Sequence, residues 1–251
     1  MTRALIGHSG FVGGNLRAQA RFDALFNSAN VDELRGRRFE LIVCAGARAE
    51  KWKANRDPAA DLLEIERLLS ALREVRADRF VLVSTVDVYE RPAGVDESVP
   101  ADAAHPYGRH RRLLEELCAE RFDAQIARLP GLFGPGLKKN AIYDLLHHNQ
   151  VEKIHPDSAY QFYDVRRLWE DLEIAHRARL GLVHFATEPV VMREVAGLCF
   201  GRELTAPAAP PARYDVRSRH AGIWGGRGGY LRDRAAVLRD LQSFVREERP
   251  A

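Results

Sequence analysis

The sequence predicts an α/β protein: a doubly wound parallel sheet, with a smaller lobe formed by its C-terminal segments. Three observations carry that prediction. Short apolar runs alternate with amphipathic stretches, the first run breaks into a glycine turn ahead of a helix, and the alternation loosens after Gly134-Pro135-Gly136. Strands that alternate with helices need right-handed crossovers into a parallel sheet. Strands covered on both faces read as continuous apolar runs, as these do.

The elements follow in order. Residues 2–6 form an apolar strand, the glycine turn follows, and a helix begins near Phe11. Residues 24–26 read as a second strand and 39–44 as a third. Asp57-Pro58 is a helix start signal, and Leu62, Leu63, Ile65, Leu68, Leu69 and Leu72 supply the apolar face behind it. Phe80-Val81-Leu82-Val83 is the next strand and ends in Ser84-Thr85. Residues 107–122 are helical, with Leu113, Leu114, Leu117 and Cys118 on one stripe. Residues 125–129 form a strand stopped by Pro130-Gly131. Later come a helix at 141–148, a strand at 161–165, a helix within 164–178, a strand at 182–186 and a helix at 191–199. The Pro/Ala-rich stretch 206–212 is a connector, and a glycine-rich loop at 222–229 precedes a last helix at 231–245. Residues 1–135 are therefore assigned to the sheet domain, with a later contribution from about 160–186. Residues 136–159 and 187–251 are assigned to the small lobe.

Composition narrows the class. A chain of 251 residues suffices for one large domain carrying a lobe, and 46% hydrophobic with 29% charged residues is ordinary for a globular protein. No apolar run spans a bilayer and no signal-peptide core follows Met1, so a cytoplasmic protein without a membrane partner is expected. The net charge of +3 balances 38 basic against 35 acidic residues, too mild a surplus to argue for nucleic acid. Cys44, Cys118 and Cys199 are scattered and odd in number, and neither they nor the histidines at 8, 105, 110, 147 and 148 make a metal set. No metal is expected.

Gly7, Gly10 and Gly13 stand three apart between strand and helix. Absent side chains permit a tight turn, close approach of backbone to phosphate and close helix–strand packing, while the helix start favours an anion. Glycine punctuates many turns, so the flanking strand and helix are what point to a dinucleotide pyrophosphate. Asn27, ending the second strand, can bond a ribose hydroxyl without repelling a 2′-phosphate; no arginine adjoins it, so NAD and NADP both remain open. Tyr107 and Arg111 share a helical face, and a nearby cation is expected to lower the phenol pKa toward working pH. Such a pair also occurs on ordinary surface helices. Thr85, at the sheet edge where ligands collect, is what raises it to a candidate site.

These motifs, in this order, resemble the extended short-chain dehydrogenase/reductases of the NAD-dependent epimerase/dehydratase family. Gly7-His8-Ser9-Gly10-Phe11-Val12-Gly13 resembles the glycine motif, and Cys44-Ala45-Gly46-Ala47-Arg48 a cofactor loop. Ser84-Thr85-Val86-Asp87-Val88-Tyr89 is similar to the serine/threonine segment. Tyr107 to Arg111 falls on Tyr-x-x-x-Lys, and residues 128–136 resemble the segment closing over nicotinamide. The resemblance implies a Rossmann-type sheet with Gly7, Gly10, Phe11, Val12, Asn27, Ala45, Gly46, Arg48, Tyr107, Arg111 and Pro130 on the cofactor, NAD or NADP. It implies Thr85, Tyr107 and Arg111 in catalysis, with Asp87, Lys138 and Asn140 as substrate contacts. Solvated lysine is an equal reading of Lys138. The implied activity is an NAD(P)-dependent reductase or epimerase acting on a nucleotide-linked sugar, as a homodimer.

Three departures accompany the likeness. Arg111 stands where the family has lysine, Asp61 where it often has asparagine, and the chain is short between its second and third strands. Arginine keeps its charge but does not deprotonate, so it cannot join a proton relay. The alternative they motivate is a catalytically silent dinucleotide-binding sensor or scaffold.

Overall fold

The computed structural model describes residues 2–249. The chain opens with β1 (Arg3–Ile6), α1 (Phe11–Gln19), β2 (Ala24–Phe26), β3 (Arg38–Cys44), α2 (Lys51–Arg56), α3 (Pro58–Glu74) and β4 (Arg76–Thr85). Then follow β5 (Ala93–Val95), α4 (Pro106–Arg121), β6 (Ala124–Leu129), β7 (Gly131–Phe133), α5 (Ala141–His147), β8 (Ala159–Tyr160) and β9 (Phe162–Asp164). The remainder is α6 (Leu168–Arg177), β10 (Leu182–His184), β11 (Val190–Val191), α7 (Met192–Phe200), β12 (Asp215–Val216) and α8 (Arg234–Glu248). Two compact units result. The first comprises Met1–Arg91, Pro100–Arg128 and Leu168–Val183, the second Pro92–Val99, Leu129–Arg167 and His184–Ala251.

The first unit carries the six-stranded sheet in the order β10-β6-β4-β3-β1-β2, a Rossmann-type parallel sheet as the sequence predicts. Leu5 pairs with Leu25 on one side and Val43 on the other, and Val43 pairs in turn with Val81. Ala4, Ile6, Ile42, Phe80 and Leu82 pack against Ile65, Leu69 and Leu72 of α3 and Leu114 and Cys118 of α4. Asp57 starts α3 by accepting from the Ala60 amide at 3.1 Å, with Pro58 in the first turn where no amide donor is needed. Leu63 and Leu113 fall off the buried stripes predicted for them and are exposed. Between β2 and β3 runs only a single 3-10 turn, Val31–Leu34, so β2 is the edge strand. The Asn30 side chain donates to the Leu25 carbonyl there at 3.1 Å.

Three strand ends meet at the glycine turn. The Gly7 amide donates to Phe26 O at 2.7 Å, and Ala45 donates to Ile6 O at 2.9 Å. Gly7 has φ +87°, and a Cβ on it would overlap the Ala45 carbonyl. A Cβ on Gly13, one turn into α1, would overlap the Gly7 carbonyl. The glycines thus let β1, the loop after β3, and α1 touch through backbone alone.

The second unit has no large sheet among its described residues. It pairs β8 with β11 antiparallel, and β5 with β12 and β7 with β9 in parallel. Phe133, Ile142, Val195, Leu241 and Phe244 lie in its core. Buried polar side chains lace its loops. Gln161 donates to Thr187 O and Val216 O and accepts from the Val216 amide. Glu97 accepts from the Ser218 hydroxyl and from the amides of His184 and Arg219.

Several elements differ from their sequence-based bounds. Residues 51–56 are helical, and the unexpected strands β5, β7, β8, β11 and β12, of two or three residues each, are too short to leave a period. The strand expected at 161–165 covers only Phe162–Asp164, and α6 starts at Leu168 after a 3-10 turn. The strand expected at 182–186 ends at His184. The last helix begins at Arg234 because Asp233 accepts from Ala236 N at 2.7 Å and caps it there.

Adjacent glycines of α1 should respond oppositely to alanine. A Cβ on Gly14 would meet no other atom within 4 Å, so Gly14→Ala should stabilise by about 0.5–1 kcal/mol. Gly13→Ala should destabilise by about 1–3 kcal/mol through overpacking. Urea unfolding of both variants checks this; equal signs would refute the close approach of α1 to the glycine turn.

Candidate active site

The first unit builds the site from the end of β4 and the start of α4. The Thr85 hydroxyl accepts from the Asp87 amide at 3.1 Å, which turns the chain out of the sheet. His105 caps α4, its Nδ1 accepting from Gly108 N at 3.1 Å. A Cβ on Gly108 would overlap the Asp87 carbonyl, so this glycine seats the first turn of α4 against the segment after Thr85. The Tyr107 amide, left without a helical partner in that turn, donates to Asn55 Oδ1 of α2 at 3.0 Å. Tyr107 is thereby buried, and the Thr85 side chain acts on its hydroxyl, pulling the phenol pKa down.

Arg111 lies one turn on, 3% exposed. Its guanidinium carbon sits 4.1 Å from the centroid of the Tyr107 ring. Nη1 donates to Asp61 Oδ2 at 2.5 Å, Nη2 donates to the Arg48 carbonyl, and Nε is buried without a partner. The same Asp61 oxygen lies 2.7 Å from His110 Nδ1, the residue before Arg111. Burial by itself would raise the Asp61 pKa; the bonds from Arg111 and His110 outweigh it and hold the carboxyl below its ordinary range.

This corrects the expected tuning of Tyr107. Burial pushes its phenol up to about 12, while Arg111 and Thr85 pull it down by less and the carboxylates of Asp87 and Asp61 oppose them. Desolvation wins because the cation beside the ring already faces a carboxylate. In the protein without ligand, Tyr107 is a protonated phenol at neutral pH.

Other expected residues are placed as follows. Phe11 and Val12 open α1 behind the glycine turn, and Ala45, Gly46 and Arg48 follow β3 beside it. Arg48 pairs with Glu64 at 2.9 Å. Asn27 turns its Oδ1 to the Ala29 amide at 2.8 Å and brings its Nδ2 to 3.2 Å from His8 Nε2. Asp87 bonds Lys51 of α2 at 2.7 Å. Pro130, Lys138 and Asn140 belong to the second unit. Lys138 is exposed, while Asn140 caps α5 through Ile142 N and Tyr143 N and donates to Leu132 O.

Sequence reasoning missed several residues. Lys51 and Asn55 share a face of α2, and their four-residue spacing was the available signal. Arg67 of α3 donates to Ser28 O at 2.7 Å and to Asp32, so an arginine does reach the loop after β2, from forty residues away. Glu115 and Arg128 form a buried pair at 2.6 Å; Glu115 also accepts from the Ser84 hydroxyl at 2.5 Å, and Arg128 donates to the Tyr89 hydroxyl at 2.7 Å.

The residues fit a dinucleotide. The glycine turn leads straight from β1 into α1, whose N-terminus at Gly10 has no side-chain cap, and the unpartnered Nε of Arg111 is a buried donor in the same unit.

The sequence matches the model of the NAD dependent epimerase/dehydratase family over residues 7–164. The chain belongs to that family. Among solved structures, it is similar to RMD from Pseudomonas aeruginosa complexed with NADPH, with 20% identity, 99% of each chain covered and a TM-score of 0.75. It is also similar to dTDP-4-dehydrorhamnose reductase from Bacillus anthracis in complex with NADP, with 19% identity, 98% and 99% coverage and a TM-score of 0.74. A third is a tyrosine-to-phenylalanine mutant of UDP-glucuronic acid 4-epimerase from Bacillus cereus, with 14% identity, 99% of each chain covered and a TM-score of 0.74. At these identities the likeness is one of fold. No curated protein matches the sequence. No helix among the described residues is long and apolar enough to cross a membrane.

The buried Glu115–Arg128 pair gives this epimerase/dehydratase fold a point of failure. Glu115→Ala leaves a buried guanidinium without its carboxylate and should cost about 3–5 kcal/mol. Denaturant unfolding measures it, and a loss within the range of an ordinary surface substitution would show that the pair contributes little.

Proposed function

We propose that this chain is an NAD(P)-dependent reductase or epimerase acting on a nucleotide-linked sugar. The observation that carries the reading is the placing of Thr85 at the end of β4 and of buried Tyr107, with Arg111 over its ring, in the first turn of α4, on the sheet whose β1 ends in the glycine turn. Gly7, Gly10, Phe11 and Val12 hold the pyrophosphate, Asn27 meets the adenosine ribose, and Ala45, Gly46 and Arg48 border the dinucleotide. When bound, the nicotinamide supplies or takes up the hydride.

Thr85 orients the sugar carbonyl through its hydroxyl. Tyr107 exchanges a proton at that oxygen. A phenol held protonated is suited to donate to an oxygen gaining negative charge, which favours the reducing direction. Arg111 lies on the nicotinamide-ribose side and steadies the Tyr107 ring. Asp87 borders the substrate. Support for the substrate class comes from similar structures: MoeE5 was solved with UDP-glucuronic acid and NAD, and others are dTDP-4-dehydrorhamnose reductases. The silent-scaffold alternative is motivated by the departures at Arg111 and Asp61, which here form one ion pair.

With NADH or NADPH and a panel of 4-keto nucleotide sugars, Tyr107→Phe should lower kcat about 100- to 10,000-fold while cofactor affinity holds. A wild-type protein inert toward the whole panel, or a Tyr107→Phe variant as active as wild type, would overturn the proposal. We further propose a homodimer through the outer faces of α3 and α4, where Leu63 and Leu113 are exposed. Light scattering at micromolar concentration should give twice the chain mass, and Leu63→Glu should reduce it to one; a monomeric wild type refutes the dimer.

A further inference from the structure

We infer that Asp61 is a positioning residue that acts on Tyr107 through Arg111, so that the two departures from the family pattern are one coupled device. The inference deepens the proposed function and rests on Tyr107 being the proton-exchanging group.

The argument starts from the shape of a guanidinium. It is planar, with donors around its rim and two open faces, so it can bond at the edge and stack at the face simultaneously. Arg111 does both. Its edge engages Asp61 from α3 and the Arg48 carbonyl from the loop after β3, and its face lies against the Tyr107 ring. An ammonium has no such face. The pair therefore needs an arginine, and an arginine this deeply buried needs a carboxylate.

Asp61 in turn is held from two positions. His110 and Arg111 are consecutive on α4, and both reach the same carboxylate oxygen, at 2.7 and 2.5 Å. With the carboxylate as acceptor, His110 Nδ1 carries the proton in that contact. Two donors from one helix fix the carboxylate relative to α4, and the carboxylate fixes the rotation of the guanidinium about its own stem. The guanidinium, 4.1 Å from the centroid of the Tyr107 ring, then holds that ring in place. The chain of contacts runs Asp61, Arg111, Tyr107, and each link is a direct contact. Asp61 touches neither of the proposed reacting oxygens.

If Asp61 acts through Arg111, its effect vanishes once Arg111 is replaced. The experiment is a double-mutant cycle with Asp61→Asn, Arg111→Lys and the double variant, read two ways. The first readout is the ring resonance of Tyr107 in the free protein labelled with 13C-tyrosine; one of seven tyrosine signals is assigned by its loss in Tyr107→Phe. Asp61→Asn and Arg111→Lys should each move that signal to the same position, the double variant should add nothing, and Asp61→Glu, which keeps the carboxylate, should leave it near wild type. The second readout is turnover: Asp61→Asn should lower kcat about tenfold or more in the wild-type background, but change it less than about twofold in the Arg111→Lys background.

A Tyr107 signal unmoved by Asp61→Asn, or effects of the two substitutions that simply multiply, would overturn the inference. Asp61→Glu as impaired as Asp61→Asn in the ring signal would do the same. The ring readout needs no substrate, so a wild type without turnover would sink the proposed function while this readout still decides the inference.

Discussion

The carboxylate of Glu115 is the interaction on which the geometry of the first unit turns. It sits on α4, two turns beyond Tyr107, and it gathers Arg128 from β6 and Ser84 from the end of β4. Arg128 then reaches Tyr89, beyond the turn that Thr85 initiates. A helix lying on a sheet by apolar contact alone can slide by fractions of an ångström, because dispersion is non-directional. A buried charge pair cannot slide without losing its bonds. Register between α4 and β4 is what brings a phenol on one and a hydroxyl on the other within hydrogen-bond reach, and Glu115 supplies that register.

Burial cuts two ways in this unit. For Asp61, the nearby donors outweigh the cost of removing a carboxylate from water, and it stays charged. For Tyr107, the one cation at hand is already engaged by a carboxylate, so the cost of burying a phenolate prevails. The same neighbours thus produce a firm anion and a firm neutral acid side by side. A bound substrate oxygen, or the positive nicotinamide ring of an oxidised cofactor, enters a setting in which protons are already assigned.

Much of this was readable in the residues. The parallel, doubly wound sheet follows from apolar runs alternating with amphipathic helices, and Gly7, Gly10 and Gly13 sit at the turn their spacing implies. Leu63 and Leu113 were misplaced because helical periodicity gives a stripe its width but not its edges. Short strands such as β8 are tied to distant segments by the polar side chains that flank them, Gln161 donating to the Thr187 carbonyl and Ser158 accepting from the Ala212 amide, and two residues carry no period. At the site, Tyr107 and Thr85 were legible because each ends or begins a regular element. The pairing of Asp61 with Arg111 was not, since it joins residues fifty apart on different helices. The Tyr107 pKa went the other way from its neighbour-based expectation because burial is invisible in a pair of letters.

The short crossover between β2 and β3 has a consequence beyond chain length. With so short a connection nothing covers β2, and an edge strand presents a raw margin of the kind that recruits strands from other molecules. Here the margin is three residues long, and the Asn30 amide occupies the Leu25 carbonyl within it. Too brief to template a new strand and partly plugged by a side chain, it ends the sheet without inviting fibrous growth. A short edge and one well-placed amide thus do the work that a longer connection would otherwise have to do.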